Sequence, residues 1–332
     1  MLDSDPSDST EGETPSVLCA LTPIFSVMKP TMFFLEKNFI PALFALLSIV
    51  LMSCSKKEIK PPTGPYIPPP DNNKELVEGV DYFLPHIDLS HWKVTLPIGN
   101  PTEIEPPEIL DYANNELLKQ FMYNDSTDGS LVFYTFPGST TANSAYSRTE
   151  LREQMEPGRN DVNWTFAQGG RMKGTLCVPE ISTDASGTPH RTIIMQIHGR
   201  LTDEQRDLIG AADNNAPPVL KIYWDKGKIR VKTKVLKDEN TPYPDLLRTD
   251  AWTDDEGYNF PYVGSDKFTL EVIASKGRLE VIFNDSISKV YENPSLEKWG
   301  VFENYFKAGN YLQTKDEGAF AKVKFYALEV SH

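Results

Sequence analysis

Tyr305-Phe306-Lys307-Ala308-Gly309-Asn310-Tyr311-Leu312-Gln313 reads as one β-strand near the end of the chain. Successive side chains of a strand point to opposite faces of a sheet. Tyr305, Lys307, Tyr311 and Gln313 therefore share one face, with Gly309 between them, and Phe306, Ala308 and Leu312 share the other with Asn310. One face is built to pack on a core. The other carries two phenols, an ammonium and an amide, and its glycine leaves room for something to lie against the backbone.

Two other stretches repeat the design. In Ser147-Arg148-Thr149-Glu150-Leu151-Arg152-Glu153, alternation puts Arg148, Glu150 and Arg152 on one face. In Ile194-Met195-Gln196-Ile197-His198-Gly199-Arg200 it does the same for Gln196, His198 and Arg200. Three strands offering cations and hydrogen-bond donors on one face point to a groove for a polymeric anion.

The surrounding chain is also mostly strand. Ser130–Phe136 is apolar and aromatic, Gly174–Val178 is a short strand before Pro179, and Ala319–Val330 alternates to the end. Val219–Trp224 meets Lys228–Lys234 across Asp225-Lys226-Gly227, and Phe268–Ala274 meets Arg278–Phe283 across Ser275-Lys276-Gly277, both as hairpins. Only Asn114–Met122 and Asp203–Gly210 read as helical. Many short strands separated by turn signals indicate an all-β sandwich or jelly roll. Residues 201–218 and 237–263 are long for loops; they either wall off one end of the groove or decorate the surface.

The 332 residues carry a net charge of −14, with 39% apolar and 11% aromatic residues. That suits a globular chain with a real core and argues against a basic nucleic-acid binder. An acidic protein repels an anionic substrate at long range, so any site for one must be a local basic patch. Cys19, Cys54 and Cys177 show neither metal-ligand spacing nor a disulfide framework. No metal and no cofactor is expected, and Cys177 reads as a small buried apolar side chain.

Ahead of the domain, Lys29 and Lys37 precede an apolar run from Phe39 to Met52, and Leu51-Met52-Ser53-Cys54 follows as a lipobox. The run is short for a membrane span and fits a cleaved export signal. Residues 1–27 read as an extension outside the natural protein, with translation starting at Met28 or Met32. The succession resembles that of bacterial lipoproteins, which implies residues 28–53 as the signal peptide and Cys54 as the lipidated first residue. Residues 54–78 read as a tether kept extended by Pro61, Pro62, Pro65, Pro68, Pro69 and Pro70, and residues 79–332 as the folded domain. Removing residues 1–53 takes away six acids and two bases, which changes −14 to −10. The expectation is an exported monomer anchored in the outer membrane or on the surface of a Gram-negative bacterium.

RTELRE, QIHG and YFKAGNYLQ resemble the three motifs of the polysaccharide lyase family 7 alginate lyases, and His91-Trp92-Lys93-Val94-Thr95-Leu96-Pro97 looks like that family's opening strand. The resemblance runs from about residue 80 to 332. It implies a β-jelly roll with a concave substrate groove, and cleavage of 1,4-linked uronate chains by β-elimination. Arg148, Gln196 and His198 would then neutralise the substrate carboxylate. Tyr311 would be the general acid, its pKa lowered by Lys307 and Arg148. His198 would be the base for guluronate, and Tyr311 would take both roles for mannuronate. Arg152, Lys307, Gln313, Arg200 and Tyr305 would bind neighbouring sugars. Glu150, also in the substrate-binding set, is a poor partner for an anion and would orient Arg148 or Arg152. Ile197 goes in the family with guluronate-containing stretches more often than valine does. Leu312 stands where the family usually has Asn. The rivals are a non-catalytic polyuronate-binding module and a lyase for another polyuronate such as glucuronan. A glycoside hydrolase would need two carboxylates flanking the bond, and no Glu-x-Asp-x-x-Glu strand is present.

Overall fold

The computed structural model describes residues 85–141 and 143–332. The export signal, Cys54 and the tether lie outside the described residues. The described chain forms two sheets packed face to face around one core. The groove sheet runs, in spatial order, through Trp252–Asp254, Lys228–Leu236, Asn215–Asp225, Arg191–Arg200, Glu303–Leu312, Arg148–Glu153, Trp92–Thr95 and Glu103–Ile104. The second sheet runs through Ile287–Glu292, Arg278–Phe283, Phe268–Ser275, Gly170–Ile181, Ala321–Ser331, Ser130–Thr135 and Met122–Asp125. All these neighbours pair antiparallel; His86–Ile87 adds one parallel pairing to Ala321–Ser331. This is the expected all-β sandwich.

Alternation builds the core. Val94, Leu151, Ile197, Leu220, Ile222, Phe306 and Ala308 from the groove sheet meet Phe133, Met172, Leu176, Leu270, Val272 and Phe325 from the other, all essentially inaccessible. The two hairpins close where the sequence places them. In the first, Asp225 pairs with Lys228, and both loop residues, Lys226 and Gly227, have positive φ, as a two-residue type I′ turn requires.

Some expectations change. Asn114–Met122 holds only a 3₁₀ turn at Leu118–Gln120 before a strand begins at Met122. Asp203–Ile209 is a helix, with Thr202 and Gln205 forming a capping box. A second short helix, Pro294–Trp299, starts at an Asn293 cap and carries no strong sequence period. Gly170–Ile181 runs straight through Pro179. Residues 237–263 do not line the cavity that opens over the groove sheet. They place Leu246, Leu247, Trp252 and Phe260 in the core and extend the far edge of the groove sheet.

Behind the groove the two sheets are pinned by polar side chains. Asn310 is fully buried; its Nδ2 donates to Phe133 O and Ala321 O, and its Oδ1 accepts from Thr192 Oγ1 at 2.7 Å. Thr135 Oγ1 donates to Asn310 O and accepts from Thr149 N. A buried amide is tolerable only when satisfied in this way, and the pin fixes the backbone on which Tyr311 and Arg148 sit.

Candidate active site

Register assembles the groove. Tyr305 lies opposite His198, and Lys307 opposite Gln196. On its other side the same strand sets Lys307 opposite Arg152, Gly309 opposite Glu150 and Tyr311 opposite Arg148. A cavity of about 800 Å³ opens over this face, lined among others by Arg148, Arg152, His198, Arg200, Tyr305 and Lys307. Asp213, Asn214 and Asn215 also line it, so the 201–218 segment does border the groove. Asn143 Nδ2 donates to Asp213 Oδ2 at 2.8 Å, joining two loops at its rim.

The space over Gly309 is not for a ligand. A Cβ there would stand 2.7 Å from Thr149 O and 2.9 Å from Glu150 Cα, and its φ is +137°. The glycine lets the Arg148–Glu153 strand come close, while on the other edge of its own strand the pairing with Arg191–Arg200 shifts register between Ala308 and Tyr311.

Glu150 is completely buried under the groove. Gln196 Nε2 donates to its Oε1 at 2.5 Å, Lys307 Nζ stands 2.5 Å from its Oε2, and Arg148 reaches the same oxygen at 3.4 Å. It touches no cavity surface, which removes it from the substrate-binding set and makes it the counter-ion of three strands. Its cationic partners are Arg148 and Lys307 rather than Arg152. Arg152 donates instead to Glu153 O, Asn160 O and Asn163 Oδ1, and lays its guanidinium 4.1 Å from the centre of the Tyr305 ring. Arg200 is held by Glu303 at 2.7 Å. Gln313 donates to Tyr311 O.

His198 stacks on the other side of Tyr305, with centroids 5.1 Å apart and planes 14° apart. Its Nδ1 lies 2.9 Å from Gly199 O. A carbonyl only accepts, so Nδ1 carries the proton and Nε2 the lone pair. Burial first, and then the neighbouring Lys307 ammonium, hold the imidazole down to about 3. Burial also brings the Lys307 ammonium down to about 8, against the pull of the Glu150 carboxylate. Tyr311 departs from expectation. The Arg148 guanidinium lies 4.1 Å from its ring centre and does favour the phenolate, but burial outweighs it and the phenol is raised above 10.0. At neutral pH the groove therefore holds a neutral imidazole, a protonated phenol and a protonated lysine.

Glu153 was not assigned a role from sequence, and it organises the opposite side of the same strand. It is buried; Oε2 accepts from Trp164 Nε1 at 3.0 Å and Phe306 N at 2.9 Å, and Oε1 contacts His332 Nε2 at 2.7 Å. The parity of Glu150 and Glu153 separates a groove acid from a core acid, and only the assembled sheet shows what each holds.

The charge states predict the pH dependence of kcat/KM, which reports the free protein. Neutral His198 is present above about 3 and lost only as pH falls through that value. Charged Lys307 is present below about 8 and lost as pH rises through it. The expected profile is flat through pH 6–7 and declines above about 8. A titration limb centred near 6.5 would show that His198 is not held neutral in this way.

The alginate lyase family model matches residues 87–332. No curated protein sequence matches the chain. Among solved structures, alginate lyase A1-II′, a member of polysaccharide lyase family 7, is 32% identical over 74% of this chain and 96% of its own, with a TM-score of 0.59. Alginate lyase PA1167 from Pseudomonas aeruginosa, at 24% identity over 74% of this chain and 100% of its own, shares the fold with a TM-score of 0.55. The groove residues, the two-sheet architecture and these matches agree: the chain belongs to the alginate lyases of polysaccharide lyase family 7.

Proposed function

We propose that this alginate lyase prefers guluronate-containing stretches, with His198 as base and Tyr311 as acid, on an exported protein anchored through lipidated Cys54. The observation that carries the assignment is the division of protons. His198 keeps a free lone pair on Nε2, whereas Tyr311 keeps its proton. A group that serves as both base and acid must first be deprotonated, and burial opposes that for Tyr311. Separate base and acid suit a sugar whose C5 proton and leaving oxygen lie on opposite faces, as in guluronate.

In the elimination, His198 Nε2 takes the C5 proton. The electrons of the C5–H bond form the C4–C5 double bond, the C4–O bond breaks, and Tyr311 protonates the departing oxygen. Removing a proton beside a carboxylate concentrates negative charge there, so Arg148 and Lys307 do most for the reaction by stabilising that developing charge. The water-free product carries an unsaturated sugar at its new non-reducing end. Two solved forms of A1-II′ support the substrate class. One, carrying a His-to-Asn and a Tyr-to-Phe substitution, is in complex with substrate GGMG, and the other, carrying the Tyr-to-Phe substitution, with product GGG. The anchoring rests on the charged, apolar and Ser53-Cys54 succession in the sequence.

The test is absorbance of the unsaturated uronate while separate guluronate and mannuronate blocks are digested. Faster release from guluronate blocks is expected, and faster release from mannuronate blocks overturns the preference. Cys54→Ser is expected to move the exported protein out of the membrane fraction; unchanged fractionation would sink the anchor.

A further inference from the structure

The pairing register contains a row that crosses six adjacent strands of the groove sheet. Lys93 lies opposite Arg152, Arg152 opposite Lys307, Lys307 opposite Gln196, Gln196 opposite Lys221, and Lys221 opposite Lys232. Directly paired residues stand on the same face, so five cations and one amide follow each other straight across the sheet. Five steps at roughly 4.8 Å per strand make a row of about 24 Å. Like charges placed opposite one another destabilise a sheet. Three of the five cations are offset by a carboxylate, Lys93 by Glu103, Lys307 by Glu150 and Lys221 by Asp254.

Its first half is the groove already described: Lys93, Arg152 and Lys307 line the cavity. Its second half lies outside the cavity wall. Lys221 is paired with Asp254 at 2.6 Å, and the same carboxylate takes Lys234 at 2.8 Å. Lys232 has no carboxylate partner among the described residues. Arg230, two residues before it on the same face, gives its guanidinium to Asn259 Oδ1 and Glu256 O, which carry no charge. Asp254 is thus taken up by Lys221 and Lys234, Asp225 stands further along the same face, and among the described residues neither Arg230 nor Lys232 has a paired carboxylate. A chain with a net charge of −14 keeps these two cations without a paired carboxylate on the face where its reactive groove lies.

We propose that the polyuronate path continues beyond the cavity across the strands, with Lys221, Lys232 and Arg230 forming a distal segment that binds carboxylates of a long chain. The proposal rests on the groove's being an alginate site and adds a dependence on chain length. A short oligosaccharide fills the cavity and never reaches Lys232. A polymer spans both halves and gains contacts that lower its KM without altering the reacting atoms.

The experiment compares full-length wild type, Lys232→Gln and Lys232→Glu on a tetrasaccharide and on long-chain alginate, at low and at physiological ionic strength. At low salt, kcat/KM on the polymer is expected to fall about threefold for Lys232→Gln, the scale of one exposed ion pair, and further for Lys232→Glu, chiefly through KM. Tetrasaccharide kinetics stay those of wild type, which also shows that the variants are folded. The polymer effect shrinks as salt rises. Equal losses on both substrates, or no loss on the polymer, overturn the distal segment. A wild type that cuts neither substrate overturns the groove reading and this extension with it. A wild type that cuts both while the variants match it overturns the extension alone.

Discussion

Tyr311→Phe lowers kcat on alginate by about 100- to 10,000-fold, the range over which a positioned proton donor contributes, while the protein stays folded and still binds oligosaccharide. The substitution deletes one oxygen and leaves the ring, which keeps its packing under the Arg148 guanidinium. What it removes is the proton that burial keeps on the phenol at neutral pH. KM should change little, because Arg148, Arg152 and Lys307 still hold the carboxylates. The check is initial rate against substrate concentration, with binding to the inactive variant measured by calorimetry. Full kcat in the variant would remove Tyr311 from the proton path, and a loss of binding with unchanged kcat would make it a subsite residue.

The second large effect is on stability. Glu150→Ala should cost about 3–5 kcal/mol, the loss typical of breaking a buried ion pair from one side. Among the described residues its carboxylate is the single acid paired with Lys307 and Arg148, and it is the acceptor for Gln196 Nε2. Without it, Lys307 is left as a buried ammonium among guanidinium groups. Its pKa already falls to about 8 from 10.5, and the variant should lower it further. The sign follows from linkage. Between the folded and unfolded pKa values the unfolded chain binds more protons, so stability rises with pH in that window. The deficit of Glu150→Ala is thus greatest near pH 6 and narrows toward pH 9, where Lys307 has shed its proton. Urea unfolding at the two pH values tests this. A variant as stable as wild type that loses only substrate affinity would mean that Glu150 meets the substrate after all.

Much of the groove was legible in three short strands because alternation is a local rule. Arg148 and Arg152, Gln196 and His198, Tyr305, Lys307 and Tyr311 reach the groove face by parity alone. The hairpin at Lys226-Gly227 was equally legible, because positive φ at both loop positions is a property of the turn itself. Glu150 and Glu153 were not. A carboxylate in a strand looks the same whether it meets a ligand, three donors on its own sheet, or a tryptophan and a backbone amide in the core.

The amino-acid sequence by itself determined the sandwich, the groove-facing set and the family, since each follows from residue order within single strands. The tertiary structure alone decided the proton inventory. Whether Tyr311 is acidic or raised, whether His198 is charged, and whether Lys307 titrates near 8 depend on burial and on charges brought from strands over a hundred residues apart. Desolvation acts through the volume around a group and Coulomb energy through distance in space, and neither is written along the chain. The same holds for the row from Lys93 to Lys232, whose members lie on six strands and come into line only when the sheet is paired.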